Sequence, residues 1–447
     1  GCKAEDRAYA LCTDKNDGVY ITFQSSLASG NTNDVHFDSD ATMTIPNTQG
    51  ATSYKKVIIA KYDTSGSFKW ATDPQPDTVG PSSNTGVLAL DVDNQVVLHC
   101  LSVLAPGIYE GNYVVNKQGT YILKYNSSGT FLGGTAPDIN VTAYSTGSSY
   151  LKRDNKHNRY LIAGSVEYLG PVYISGKELM ASKYIAAFDN NGKLLWSRID
   201  TNMSRVHGIR NRPVIDDLGN IYIVANTTYF FDAKRGDYFN GYTTKASSGN
   251  PPSGGILVMK MDKDGNMLWA DNALTNNVSF VGGVALRNSG EVIVGGWYAG
   301  LLKYTSYPDS LYFGPNQSYR PFLARFNTQT GKVLGMEQLV TTGDNSKIFD
   351  LIPDGRNNIY IGGELGSKLT VNGTTLSSVG GTKDFFVAKY GYAGCNCTNI
   401  PEPEFTQTVA NHFDYSFNYT GTAATTMEWD FGDGNTSTQT SPTHTYT

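Results

Sequence analysis

Charge is scarce in this sequence. Asp, Glu, Lys and Arg make up 17% of the 447 residues, with 35 basic against 40 acidic side chains and a net charge of −5. Such a balance lacks the density of Lys and Arg that phosphate binding demands, so nucleic acid is not an expected partner. Long apolar runs are also missing. Without about 18 consecutive apolar residues there is no candidate membrane-spanning helix, and no membrane insertion is expected. Helical periodicity is weak too, since no apolar stripe at 3.6-residue spacing runs beyond two turns.

Cysteine is sparse and odd in number: Cys2, Cys12, Cys100, Cys395 and Cys397. Five thiols form at most two bridges, and no Cys-x2-Cys or histidine pair suggests zinc. The six histidines are scattered, and neither G-x-S-x-G nor H-E-x-x-H occurs. The expectation is therefore a non-catalytic chain without a resident cofactor. A chain that starts at Gly1 with no signal peptide is read as a processed or shortened product.

Glycine (48) and tyrosine (29) are plentiful beside Asn, Ser and Thr, a mixture that favours strands and turns. The pattern behind it is a recurring hairpin, clearest in GILVMKMDKDGNMLW at Gly255–Trp269. An apolar strand ends near Lys260, the turn Asp262-Lys263-Asp264-Gly265 reverses the chain, and a short strand runs to Trp269. The same ribbon returns at Val57–Trp70, Tyr121–Gly133, Tyr184–Trp196, Phe322–Gly335 and Phe385–Cys397. Its turn glycines, Gly66, Gly129, Gly192, Gly265, Gly331 and Gly394, are spaced by 63, 63, 73, 66 and 63 residues. Each hairpin is preceded by a second strand pair, as in PVIDDLGNIYIVA and FDLIPDGRNNIYIGG. Four strands per repeat and six repeats predict an all-β chain whose main body is a six-bladed β-propeller over residues 1–398. The segments between second and third strands, long at Gln24–Lys56 and Asn226–Gly254, are read as variable recognition loops.

A Pro-rich linker over 399–404 leads to a different segment, 405–447. There Trp429-Asp430-Phe431-Gly432-Asp433-Gly434, Ser441-Pro442 and His444-Thr445-Tyr446 resemble the PKD domain, an immunoglobulin-like sandwich, here without its expected final strands. The repeat hairpin with its GNIYIGG and FVAKYD flanks resembles the β-propeller repeats of secreted bacterial proteins, which often neighbour PKD modules. The resemblance implies export to the cell surface or the medium, outside the outer membrane, as in the type IX secretion substrates of Bacteroidetes. It carries over no catalytic residue. It implies a binding or adhesion protein for a surface glycan or protein, with secretion or anchoring machinery as a further partner. The alternatives are a secreted hydrolase or lyase with its site at the channel mouth, or the structural head of a surface filament.

Candidate residues follow from these readings. Trp297 and Tyr298, outside the hairpin register, and Tyr229, Phe230 and Phe231 in a long loop are candidate binding aromatics. Asp262 and Asp264, and Asp430 and Asp433, place oxygens at spacings that suit Ca2+, although Asx turns explain the same residues. A link from Cys2 to Cys395 or Cys397 is the candidate disulfide that closes the ring. The basic residue on the third strand (Lys61, Lys124, Lys260, Arg325, Lys389, with Ala187 the exception) and the terminal Trp70, Trp196 and Trp269 are expected to pack between repeats.

Overall fold

The computed structural model describes residues 6–14, 16, 18–28, 33–37, 42–45, 53–74, 88–103, 106–141, 149–165, 172–179, 183–199, 212–226, 238–243, 255–277, 279–287, 290–313, 319–339, 345–353, 357–371, 374–378, 384–391, 404–411, 413–421 and 427–446. Every regular element among them is a β-strand. The chain divides into two compact units, Gly1–Gly391 and Tyr392–Thr447.

In the first unit the repeats become six antiparallel sheets in chain order. Sheet 1 comprises Asp6–Thr13, Val19–Ala28, Ser53–Tyr62 and Phe68–Thr72, and sheet 2 Leu88–Asp93, Val96–Val103, Gly119–Tyr125 and Phe131–Thr135. Sheet 3 comprises Ser149–Asp154, Arg159–Ser165, Lys183–Asp189 and Leu194–Ile199, and sheet 4 Val214–Ile215, Ile221–Asn226, Ile256–Met261 and Met267–Thr275. Sheet 5 comprises Ser279–Arg287, Glu291–Tyr298, Arg320–Asn327 and Val333–Gln338, and sheet 6 Lys347–Pro353, Ile359–Leu365 and Asp384–Tyr390.

Alternate side chains of a strand point to opposite faces, so each sheet offers one face backward and one forward. Five apolar clusters fill the spaces between consecutive sheets: Tyr20 and Ile59 against Leu90 and Leu123, Leu98 and Ile122 against Tyr160, Ile185 against Met259, Val258 against Phe322, and Leu323 against Phe386. Burial on both faces explains why strands such as IYIVA read as unbroken apolar runs. Among the described residues no such cluster joins sheet 6 to sheet 1, so the closed sixfold ring expected from the repeat is not seen there.

The turns of the first four hairpins share one design. Asp262 Oδ1 accepts the N–H groups of Asp264 (2.9 Å) and Asn266 (2.8 Å), and Asp63, Asn126 and Asp189 do the same in their own turns. Glycine ends the turn in the left-handed region, with φ of 79° at Gly265 and 70° at Gly331. Its missing Cβ also admits the previous repeat. A Cβ on Gly331 would lie 2.6 Å from Trp269, on Gly265 2.8 Å from Trp196, and on Gly129 2.7 Å from Trp70.

Each of those indoles then donates into the turn beneath it, and a second donor joins it on the same carbonyl. Trp70 Nε1 (3.1 Å) and Lys61 Nζ (3.0 Å) both reach the Ser127 oxygen. Trp269 Nε1 and Lys260 Nζ, each at 2.9 Å, both reach that of Thr328. In sheet 3, where Ala187 stands in the lysine position, Arg159 from the neighbouring strand joins Trp196 on the Lys263 oxygen. The lysine stems cover tyrosines as they pass, with Lys61 Nζ 4.9 Å from the Tyr20 ring centre and Lys260 Nζ 5.1 Å from that of Tyr222.

The described residues of the segments between second and third strands include regular structure. In all six repeats they hold a two-stranded hairpin, such as Gly107–Tyr109 with Tyr113–Val115 and Val172–Ile174 with Lys177–Leu179. Glu110-Gly111, Ser175-Gly176 and Asn240-Gly241 all take positive φ at both central positions, the type I′ geometry of a two-residue loop. Some of these hairpins reach back toward the preceding repeat, whereas that of repeat 4 bonds its own fourth strand, the Tyr242 hydroxyl donating to Asn272 at 3.1 Å. Gly300–Tyr304 pairs with Met267–Thr275, which extends sheet 4 to six strands, and Val172–Ile174 pairs with Ile139–Val141 just beyond sheet 2. An otherwise open sheet edge is thereby covered.

The second unit holds two small sheets, Phe405–Asn411, Asp414–Tyr419 and Thr443–Thr445 in one, Trp429–Asp430 and Thr436–Ser437 in the other. An aromatic group of Phe405, Phe417, Trp429, Phe431, His444 and Tyr446 packs between them, with His444 stacked on Phe431 at 4.1 Å.

Two predictions follow from the junctions. Gly331→Ala and Gly129→Ala force a side chain into the indole above, whereas Gly66→Ala meets nothing within 4 Å and bears only the left-handed backbone strain, roughly 1 kcal/mol. Urea unfolding is expected to show the first two variants losing at least about 2 kcal/mol more than the third, and equal losses would refute the latch. The second concerns His99, buried in sheet 2, whose Nε2 lies 3.0 Å from Thr22 Oγ1 of sheet 1 while its Nδ1 has no partner. Burial depresses its pKa from 6.5 to about 3. As pH falls from 6.5 toward 3 the unfolded chain binds a proton that the folded chain refuses, so stability is lost across that window. His99→Leu is expected to flatten the loss, measured as the midpoint of urea unfolding against pH.

Candidate functional site

The first strands of all six sheets line one cavity of about 420 Å³. Its wall is largely apolar, with Leu11, Tyr150, Val284, Phe349 and Ile352, into which Lys152, Arg212 and Asp350 bring charge. Sheets arranged in chain order with their first strands around one space make the first unit propeller-like.

The two cations of the lining, Lys152 and Arg212, are held by Asp91, which lies behind the wall and is 4% exposed. Its Oδ2 accepts the Arg153 N–H at 2.5 Å, Lys152 Nζ lies 3.4 Å from it, and Arg212 Nη1 lies 3.8 Å from Oδ1. Arg212 Nη2 also donates to the Leu11 carbonyl at 2.7 Å. Residues from three repeats thus meet at one carboxylate and Arg212 ties them to Leu11 of sheet 1, while two cations share the carboxylate with about a third of each side chain still exposed. Asp350 Oδ1 accepts the Leu351 N–H at 2.8 Å. The Cys12 thiol lies in the wall, where burial pushes its pKa up to about 12 against the opposing charge of Arg212. It is held as the thiol, which is a poor nucleophile. Among the described residues the lining carries no histidine, and no three His, Cys, Asp or Glu side chains gather as metal ligands.

The aromatic and acidic candidates fall elsewhere. Tyr298 cannot be a surface contact. It is fully buried in the second strand of sheet 5, where its hydroxyl donates to Gln338 at 2.5 Å. Trp297, one position before it, is half-buried: it stacks on Phe280 at 5.1 Å, meets Phe349 of sheet 6 edge-on at 5.6 Å and has Lys347 Nζ 5.7 Å from its ring centre. Its place is a bridge between sheets 5 and 6. Tyr229, Phe230 and Phe231 lie outside the described residues, as do Cys2, Cys395 and Cys397. Cys12 and Cys100 are both free and buried.

Asp262 is committed to its turn, with Oδ1 on two backbone N–H groups and Oδ2 accepting Asn266 Nδ2 at 2.9 Å. Burial alone would raise its pKa, but those hydrogen bonds outweigh it and lower the value. Asp264 pairs with Lys263 at 2.7 Å instead of turning toward Asp262. In the second unit Asp430 Oδ1 accepts the Gly432 N–H at 2.9 Å. Asp433 Oδ1 accepts the Asn435 N–H, and its Oδ2 lies 2.7 Å from His444 Nε2, contacts that hold its carboxyl below the usual range. The oxygens that suggested calcium are thus used by Asx turns and a histidine pair.

Sequence reasoning missed Asp91, Lys152 and Arg212. They lie in different repeats, and nothing in their spacing shows that the sheets bring them together.

Residues 399–447 match the PKD domain family, which gives the second unit its identity; such domains are typical of extracellular proteins. No curated protein matches the chain. Among solved structures, the quinohemoprotein alcohol dehydrogenase of Comamonas testosteroni is similar at 12% identity and a TM-score of 0.36, with 92% of this chain and 63% of that one covered. A quinohemoprotein alcohol dehydrogenase of Pseudomonas putida HK5 is similar at 11% and 0.33, with 70% and 60% covered. A putative exo-beta-1,3-galactanase of Bifidobacterium bifidum s17 is similar at 10% and 0.33, with 66% and 91% covered. The matched part of this chain spans less than two thirds of either dehydrogenase. No helix among the described residues is long and apolar enough to cross a membrane.

The state of Cys12 gives a prediction. At pH 8 iodoacetamide is expected to leave Cys12 and Cys100 unmodified in the folded chain and to label both in 8 M urea, read by peptide mass spectrometry. Labelling of Cys12 at the rate of an unfolded thiol would contradict its burial.

Proposed function

We propose that residues 6–391 supply six blades of a β-propeller in a protein exported to the bacterial cell surface or medium, and that it binds its ligand without transforming it. The PKD domain supports the extracellular placement. The resemblance of the repeat sequence to those of secreted propeller proteins is what suggests the type IX route and a Bacteroidetes source. The observation that carries the binding reading is the shared cavity, whose apolar wall meets two cations held on one carboxylate. A concave apolar site with a few convergent polar groups is the usual form of a ligand pocket. Among the described residues Asp350 is the one carboxylate in the lining. A ligand with an apolar side and an acidic group suits this surface, in a glycan or in a protein segment.

The test is an array of acidic and neutral oligosaccharides and peptides, probed with the whole chain and with Arg212→Gln. Retention of an acidic probe that weakens at least tenfold in the variant and falls as salt rises is expected. Cleavage of an arrayed glycan would transfer the site to the hydrolase reading. Binding indifferent to Arg212 would move recognition away from the cavity.

A further inference from the structure

The first strand of sheet 6 breaks the alternation expected of a strand. Ile348 and Leu351 are buried against sheet 5, whereas Phe349 and Asp350 between them are both exposed. Strict alternation would bury one of those two. The cause is a β-bulge: Ile348 pairs with Gly363 and Asp350 with Gly362, which leaves Phe349 as the extra residue. A bulge re-aims the side chain it carries. Here it sets Phe349 in the lining of the cavity next to Asp350, with 48% of the residue still exposed.

The fold does not require a ring at that position. Sheet 5 has the same register shift, between Val281 and Gly283, and its extra residue is Gly282, where a Cβ would lie 1.9 Å from the Ile348 carbonyl oxygen. The bulge therefore packs neighbouring first strands without any side chain on it. Phe349 is nevertheless held firmly. Trp297 meets it edge-on at 5.6 Å and stacks in turn on Phe280 at 5.1 Å, while Lys347, whose Nζ lies 5.7 Å from the Trp297 ring centre, pairs with Glu364 at 3.3 Å. In an edge-on pair one ring gives its rim and the other a face. Whichever ring gives the rim, Trp297 leaves at least one face of Phe349 uncovered.

We propose that Phe349 is the stacking platform of the cavity and that the ligand is a uronic-acid sugar, its pyranose ring laid on the aromatic face and its carboxylate met by Lys152 and Arg212. This deepens the binding reading above and rests on it. The lining selects the class in three ways. The negative face of an aromatic ring attracts the weakly positive C–H groups that one side of a pyranose presents. Asp91 cancels one of the two positive charges it holds, so a single carboxylate restores the balance, and a guanidinium suits it in fork geometry. The hydroxyls of the same ring are donors as well as acceptors, and Asp350, beside the platform with Oδ1 on the Leu351 N–H at 2.8 Å, is a carboxylate able to accept several hydrogen bonds. An acidic peptide side chain brings the charge without the flat C–H face or the hydroxyls.

The test uses the whole chain with trisaccharides of glucuronate, galacturonate and mannuronate, their neutral hexose counterparts, and a triglutamate peptide. By isothermal titration calorimetry at least one uronate is expected to bind roughly tenfold or more tighter than its neutral counterpart. Saturation-transfer NMR is expected to mark the C–H protons on one face of a sugar ring. Phe349→Leu keeps an apolar side chain against Trp297 but removes the aromatic face. It is expected to weaken the uronate roughly tenfold and to abolish that NMR signal, whereas Phe349→Tyr keeps both within about threefold. A uronate bound equally by Phe349→Leu and the original chain would overturn the proposal, as would neutral hexoses bound as tightly as uronates. Triglutamate bound through Arg212 while no uronate binds would overturn it and leave the binding reading standing. Failure of every probe on the original chain would overturn both.

Discussion

The first unit depends on one contact, made where a donor pair from one repeat converges on a turn carbonyl of the next. An indole N–H and a cationic side chain share that oxygen at three junctions, and the turn glycine lets the ring lie against the backbone. A carbonyl has two lone pairs and can satisfy both donors. A cation's hydrogen bond is stronger than a neutral one, which explains why the position is kept basic in most repeats and why Arg159 takes over where Ala187 leaves it empty. The apolar clusters provide most of the burial between sheets. The latch sets the register at which they meet.

Where the tryptophan is missing, the backbone takes its place. Sheet 2 ends in Phe131–Thr135, and a Cβ on the next turn glycine, Gly192, would meet the Ala136 carbonyl at 2.2 Å. The Asp138 N–H then donates to the Gly192 carbonyl at 3.0 Å, and the Thr135 hydroxyl to that of Asn190 at 3.2 Å. Two chemically different solutions thus occupy one site, which shows that the site, more than the residue, is what the repeat preserves.

The hairpin framework could be read in the sequence because local rules set it. An Asx residue, a left-handed glycine and flanking apolar runs act within a few residues, and they place the third and fourth strands of the sheets where the pattern puts them. The roles of Lys61, Lys260, Trp70, Trp196 and Trp269 were legible for the same reason, repeated position implying repeated packing. The inserted hairpins were not recognised, although Gly111, Gly176 and Gly241 recur at 65-residue spacing; their strands are only two to five residues long and give almost no alternation. Tyr298 was misjudged because a Gly-Gly-Trp-Tyr run resembles a loop, whereas Gly295 and Gly296 belong to a strand, the first packed under side chains of the next sheet and the second closely approached by the Phe280 backbone. Asp91, Lys152 and Arg212 were invisible because no short-range rule relates residues about 60 positions apart.

Since the latch crosses from one repeat into the turn of the next, the piece of chain that looks like a repeat is not a separable building block. A cut inside a third-to-fourth-strand turn severs the seat of its neighbour's indole. A cut between one sheet's last strand and the next sheet's first leaves every latch covalently whole on both sides. Circular permutation or splitting into two co-expressed fragments is thus best suited to the stretches between sheets, where the severed halves retain the surfaces that reassemble them.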